Sequence, residues 1–283
     1  MKMEAAQVLL KATWGATEPP FSETTRTWFE TPQLTECLQR TEKMIQLGAS
    51  GVLYGPNGSG KSLLLDTLVE RLPEKAFSVV KFSHATLTGP DLIRGLCRSC
   101  GIEPAMRRSD NVNLLHRHWQ SLGGVHPVVI LDEAQDLQGA TLEEARLLLA
   151  GRAKLTGESR TSAFSLLLCG DQNLLPFLHL GVHKALCSRL GFCYATTALS
   201  EEQTAQYVQF RWQQTGVASA PFDDAALTLL HQAADGIPRT INQIGALATV
   251  LAATSEHSLI TRDHVQHAVT QLPWLTAPHA IGN

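Results

Sequence analysis

The chain has 283 residues, 44% of them hydrophobic and 17% charged, with a formal net charge of −3. That is enough apolar side chain for one large core or two modest ones, which excludes a wholly disordered chain, and a near-neutral balance argues neither for nor against nucleic acid. No apolar run reaches the length of a membrane span, residues 244–253 being the longest candidate and lying within an amphipathic helical pattern. Met1-Lys2-Met3-Glu4 lacks the apolar core of a signal peptide, so the expected compartment is the cytoplasm.

Residues 1–19 read as a loosely held arm. A helix is predicted from Thr31-Pro32 to Gln46, with Pro32 in its first turn, where a missing N–H costs nothing. Short apolar runs then alternate with segments long enough for a helix. The predicted strands are Gly51–Tyr54, Phe77–Phe82, Val128–Leu131, Ala163–Cys169 and Phe192–Thr197. That order predicts a mostly parallel sheet with helices on both faces, and the nearly continuous apolar character suits strands buried on both sides.

Between the first strand and its helix lies Gly55-Pro56-Asn57-Gly58-Ser59-Gly60-Lys61-Ser62, which fits G-x-x-x-x-G-K-[ST]. A glycine-rich turn from strand to helix leaves several N–H groups aimed into one concavity at the positive end of a helix, a phosphate cradle. The binding set runs from Gly55 through Leu63. Lys61 is placed to reach the β- and γ-phosphates of ATP, and Ser62 to ligate Mg²⁺.

Further along, Cys97 and Cys100 form a C-x-x-C with no second pair at zinc spacing, so buried free thiols are expected. His116 and His118 lie two apart, on different faces of a helix, and do not make a metal pair. Val128-Val129-Ile130-Leu131 runs into Asp132-Glu133, a buried strand ending in two acids at the sheet's carboxyl edge. Asp132 is expected to hold Mg²⁺ through water and Glu133 to orient and deprotonate the attacking water. After the fourth strand, where an uncharged polar residue suits contact with the γ-phosphate or the water, Asp171 has the position but the wrong charge to touch phosphate directly, so Gln172 or Asn173 is a candidate for that role and Asp171 for water or an arginine. Arg189 and Arg239 are each either a phosphate-binding guanidinium or a surface charge.

Beyond Ala198 the pattern is helical. Ser200-Glu201-Glu202-Gln203 is a capping box, opening a helix to about Thr215, and further helices are predicted over Asp223–Ala234, Pro238–Thr254 and Thr261–Leu272. The predicted organisation is an arm and helix (1–48), an α/β domain (49–199), a small α-helical lid (200–272) and a frayed tail (273–283).

Taken together, GPNGSGKS, VVILDEAQDL (128–137), Leu167-Leu168-Cys169-Gly170, Leu199-Ser200-Glu201-Glu202, Tyr207, Arg211, GIPR (236–239) and Ile241-Asn242 resemble an AAA+ ATPase. Within that class they are similar to the ExeA/GspA-type and TnsC/TniB-type proteins, over about residues 20–268. The resemblance implies a P-loop NTPase three-layer sandwich with a five-stranded parallel sheet in the order 5-1-4-3-2, followed by a helical lid, with ATP and Mg²⁺ as cofactors. Arg189 resembles an arginine finger that reaches a neighbouring subunit's ATP, and Arg239 resembles the lid arginine that reads the nucleotide of its own subunit. Ser83-His84 is similar to the position of a polar switch on the catalytic glutamate. The adenine contacts are expected from the segment around Phe21 to Thr31 and from the lid.

The catalytic set implied is Glu133, Lys61, Arg189 and Arg239. ExeA-type proteins continue into a membrane span and a cell-wall-binding region not found in this sequence. The length therefore resembles the helpers of DNA transposition, and the expected role is an oligomeric ring or filament on duplex DNA that recruits a transposase. Arg107, Arg108, Arg152 and Lys154 are the candidate DNA contacts. The alternatives are a secretion-type energy-coupling ATPase and a slowly hydrolysing ATP-sensing scaffold.

Overall fold

The computed structural model describes residues 2–22, 27–83, 87–150 and 164–276. Its described residues fall into two compact units, one comprising Pro32–Pro56 with Gly60–Thr196, the other residues 1–31, Asn57–Ser59 and 197–283.

The first unit is built on five parallel strands, β1 (Ser50–Tyr54), β2 (Phe77–Phe82), β3 (His126–Leu131), β4 (Ser165–Gly170) and β5 (Leu190–Ala195), in the order β2-β3-β4-β1-β5. This is the order the resemblance implied. Parallel neighbours need crossovers, and helices α2 (Pro32–Gln46), α3 (Lys61–Arg71), α4 (Gly89–Ser99), α5 (Arg108–Ser121), α6 (Gly139–Ala150), α7 (Leu174–Leu178) and α8 (Lys184–Cys187) stand before or between the strands. The double burial expected of every strand holds for the interior β1, β3 and β4, whose apolar residues are buried along almost their whole length. Edge strands behave differently. β2 is half-buried throughout, with Lys81 paired at 2.5 Å to Asp66 on α3, and β5 exposes half of its residues.

One core runs through this unit. Val52, Val129, Leu131, Leu166 and Leu168 from the sheet meet Leu92, Ile93 and Leu96 of α4, Leu115 of α5 and Leu142 and Leu148 of α6. Truncating a fully enclosed residue such as Leu168 to alanine carries a cost of about 2–5 kcal/mol. Because all strands run the same way, the segments that follow β1, β3 and β4 leave the sheet at one edge, with Tyr54 in register with Gly170 and Leu131 with Leu168.

The second unit is helical: α1 (Lys2–Trp14), α9 (Glu201–Gln213), α10 (Asp224–Ala234), α11 (Pro238–Thr254), α12 (Arg262–Thr270) and α13 (Pro273–Thr276). The Ser200–Gln203 capping box forms as read from the sequence, and Asp223 caps α10 by accepting from the Ala226 N–H at 2.6 Å. Residues 2–14 correct the expectation of a loose arm. Leu10 is buried among the helices of this unit, Trp14 lies edge-on to the fully buried Trp212 at 5.3 Å, and its Nε1 donates to Ser258 O at 2.7 Å. Thr17 then fixes the exit from α1 by donating twice, from N and Oγ1, to Thr215 O at 3.0 Å. Of the predicted tail, 273–276 form one helical turn and the remainder lies outside the described residues.

Candidate active site

The loop after β1 leaves the sheet pinned from both sides. Gly55 N donates to Gly170 O at 3.3 Å, and Thr196 N donates to Tyr54 O at 2.8 Å. A side chain at 55 has no room, since a Cβ would lie 2.1 Å from Thr196 Oγ1. Gly58 (φ +84°) and Gly60 (φ +98°) then take left-handed conformations that other residues adopt at a cost. Gly60 is the N-cap of α3 and supplies no side-chain acceptor. The first-turn N–H groups of Lys61, Ser62 and Leu63, at the positive end of the helix dipole, thus receive no side-chain cap from residue 60. Pro56, Asn57 and Ser59 complete the turn, Ser59 buried and Asn57 exposed.

Lys61 is only 6% exposed, and its Nζ donates to Gly55 O at 2.9 Å and Pro56 O at 3.0 Å. Burial pulls its pKa below the usual lysine value, opposed by Cys169 and by the carboxylates of Glu133, Asp171 and Asp132. Ser62 Oγ, one residue on, donates to Asp132 Oδ2 at 3.4 Å. Asp132 is buried, its N–H continues the ladder by donating to Phe82 O at 2.8 Å, and its Oδ1 accepts from Glu133 N at 3.1 Å. Glu133 breaks the strand alternation by turning left-handed (φ 53°, ψ 42°). That is how two successive acids come to serve one place. A non-glycine residue held there carries backbone strain of about 1–3 kcal/mol.

This cradle fits phosphate and Mg²⁺. The first-turn N–H groups and a buried ammonium whose bonds among the described residues go to the neutral carbonyls of Gly55 and Pro56 suit an anion. A hydroxyl and one carboxylate facing each other are the hard oxygen donors that Mg²⁺ combines with phosphate oxygens. Among the described residues, no group of three or more His, Cys, Asp or Glu is arranged to hold a metal by itself. Cys97 is a buried free thiol and Cys100 a half-buried one, and Cys169 is a buried free thiol whose pKa is pushed far up by burial and by Asp132.

The structure brings Lys61, Ser62, Asp132 and Glu133 together. Arg189 it leaves apart, exposed after α8 with Nη1 donating to Ala185 O at 2.5 Å. Arg239 is exposed in the first turn of α11. Its N–H donates to Gly58 O at 3.3 Å, and its Cβ occupies the space a side chain at 58 would need. Asp171 turns its carboxylate back on its own turn, accepting from Asn173 N at 2.7 Å and Asn173 Nδ2 at 3.1 Å. Gln172 and Asn173 are exposed. Arg108 is gripped by Glu144 through Nε at 2.8 and 2.9 Å and through Nη2, which neutralises one expected DNA contact. Arg152, Lys154 and His84 lie outside the described residues. Gln135, quoted in the sequence only as part of a motif, donates from Nε2 to Glu133 Oε2 at 2.9 Å. Arg211 was likewise only a motif position. It is buried and donates to Pro20 O at 2.7 Å and Ser22 O at 2.6 Å, fixing the segment ahead of α2.

Residues 45–178 match the AAA domain family. The fold is that of an AAA+ P-loop ATPase. The matched segment carries Lys61, Ser62, Asp132 and Glu133. The chain is 28% identical over 260 residues to general secretion pathway protein A of Aeromonas hydrophila, covering 88% of this chain and 46% of that protein. It therefore spans about half the length of that relative. Among solved structures, the AAA+ fold is shared with the Aeropyrum pernix ORC1 protein in complex with DNA. That match has a TM-score of 0.65 at 16% identity, covering 89% of this chain and 68% of that one. A Drosophila ORC bound to DNA matches with a TM-score of 0.63 at 18% identity, covering 96% and 66%. At such identities the likeness is one of fold. No described helix is long and apolar enough to cross a membrane.

Proposed function

We propose that this chain hydrolyses ATP in a Mg²⁺-dependent reaction and works as an ATP-driven switch or energy-coupling subunit. The carrying observation is the convergence of Lys61 and Ser62, after β1, with Asp132 and Glu133, after β3, on either side of β4 in the parallel sheet. When bound, Mg-ATP supplies the phosphoryl group that passes to water. The first-turn N–H groups of α3 and Lys61 bind phosphate oxygens, while Ser62 and Asp132 hold the cation. Glu133 orients water and accepts its proton at the carboxylate. Arg239 is proposed to read the nucleotide's phosphates. Arg189, free of the site within one chain, is proposed to act on the nucleotide of a second copy in a homo-oligomer.

A secretion-type role has the stronger support, because the secretion relative aligns with 88% of the chain at 28% identity. The chain's length, which favoured a transposition helper in the sequence reading, does not discriminate once the match covers 46% of that relative. A DNA-associated role stands second, supported by the fold shared with DNA-bound ORC proteins. A transposase partner rests on the sequence resemblance alone.

Phosphate release by the full chain tests the reading, measured with Mg-ATP, with EDTA, and for Asp132→Ala, each with and without duplex DNA. Release that needs Mg²⁺ and falls at least about 100-fold in Asp132→Ala supports it. Release indifferent to both contradicts it. Stimulation by DNA would move the DNA-associated role ahead of the secretion role.

A further inference from the structure

Gln135 lies two residues past Glu133, in the short helical turn Ala134–Asp136 that follows β3. Its side-chain amide is engaged at both ends. Nε2 donates to Glu133 Oε2 at 2.9 Å and to Asp136 Oδ2 at 3.1 Å. Oε1 accepts from the backbone N–H of Asp171, the first residue beyond β4, at 3.0 Å. An amide oxygen cannot donate and an amide nitrogen cannot accept, so these three partners fix which way the group faces. Gly170 provides the space: a Cβ there would stand 2.4 Å from Gln135 Oε1. Glu133 is meanwhile held at its backbone, in a left-handed conformation with its N–H on Asp132 Oδ1.

The geometry points to Gln135 as a positioning residue that fixes the Glu133 carboxylate and couples it to the end of β4. This inference rests on the proposed role of Glu133 as proton acceptor. The bond at Oε2 fixes the plane of the carboxylate and leaves Oε1 as the oxygen that takes the proton. The other end of the same amide hangs on the Asp171 main chain. The backbone position after β4, not a side chain there, is therefore what the base reads. This explains why an acid is tolerated at 171, where an uncharged residue was expected: its carboxylate is spent on Asn173, and its N–H does the coupling.

The test is steady-state ATP turnover of the full chain, paired with titration of a fluorescent non-hydrolysable ATP analogue. Gln135→Ala is expected to lower kcat about 10- to 100-fold, the range seen when a group orienting a reactive ligand is lost, with analogue affinity within about twofold of wild type. Gly170→Ala is expected to give the same split, because its Cβ takes the amide's place. The double variant should be no worse than either single one, as expected of residues acting through one contact. Gln135→Glu keeps the side chain's length but replaces the donor with an acceptor, and is expected to lower kcat as Gln135→Ala does while analogue affinity holds. Glu133→Gln is measured alongside. If it abolishes turnover while Gln135→Ala and Gly170→Ala keep kcat within about twofold, the positioning role is overturned and the hydrolytic reading stands. Equal losses of kcat and analogue affinity would also overturn it, showing a structural role. If Glu133→Gln itself turns over normally, the hydrolytic reading fails and the positioning role with it.

Discussion

Lys61→Met separates a phosphate-binding lysine from a structural one. The amine is 6% exposed and donates to Gly55 O and Pro56 O at 2.9 and 3.0 Å. Removing it forfeits two charge-assisted bonds of about 1.5–3 kcal/mol each. It also relieves the cost of burying an ammonium, which is several kcal/mol and is why this pKa is depressed. These effects oppose each other at similar size, so the ligand-free variant is expected to melt within about 3 °C of wild type. ATP changes the comparison. At 100 times Kd a ligand stabilises the wild type by about 2.7 kcal/mol, a rise in Tm of about 5–11 °C for a chain of this size. If Lys61 reaches the phosphates and its loss weakens binding about 100-fold, the same ATP concentration gives Lys61→Met only about 0.4 kcal/mol, or about 1 °C. Differential scanning fluorimetry with and without Mg-ATP reads both numbers. An undiminished ATP shift in the variant would refute the reasoning. So would a ligand-free variant destabilised by more than about 10 °C, which would make Lys61 a structural residue.

Arg189→Ala is expected to cut turnover about 10³-fold or more while nucleotide affinity holds, and adding Glu133→Gln chains, which keep Arg189, should restore part of the activity; fluorescence titration and phosphate release check both. Arg211→Leu strands the Pro20 and Ser22 carbonyls and is expected to cost about 2–4 kcal/mol in urea unfolding. His264 caps α12 through Nδ1, which accepts from the Thr261 N–H at 3.0 Å, and burial with His257 beside it lowers its pKa. The folded chain therefore binds that proton less readily than the unfolded one, so stability falls as pH drops below about 6.5 toward the folded value. Thermal melts at pH 7 and pH 5 should show a larger drop for wild type than for His264→Gln.

The parts of the site that follow one another along the chain were legible in the sequence. Gly55 to Ser62 announces a strand-to-helix turn, and Val128 to Glu133 announces a buried strand ending in acids, since each pattern has one physical use. The helix cap at Ser200 was legible for the same reason: cap and capped N–H are three residues apart. What could not be read depends on distant partners or on a single dihedral angle. Helix α1 looks unremarkable until Trp212 and Ser258, two hundred residues away, receive Trp14. Gln135 reaches Glu133 because Glu133 turns left-handed, and nothing in the residue types predicts that turn. Asp171 carries a charge that looked wrong for its place, and its meaning emerged only when the carboxylate was found on Asn173 and the N–H on Gln135.

Phosphate release by Glu133→Gln, with retained nucleotide measured in the same sample, tests the central claim most directly. The account predicts a chain that holds intact ATP with Mg²⁺ but releases phosphate at least about 100-fold more slowly than wild type. Release at the wild-type rate, or failure of the wild type to retain ATP at all, would contradict it.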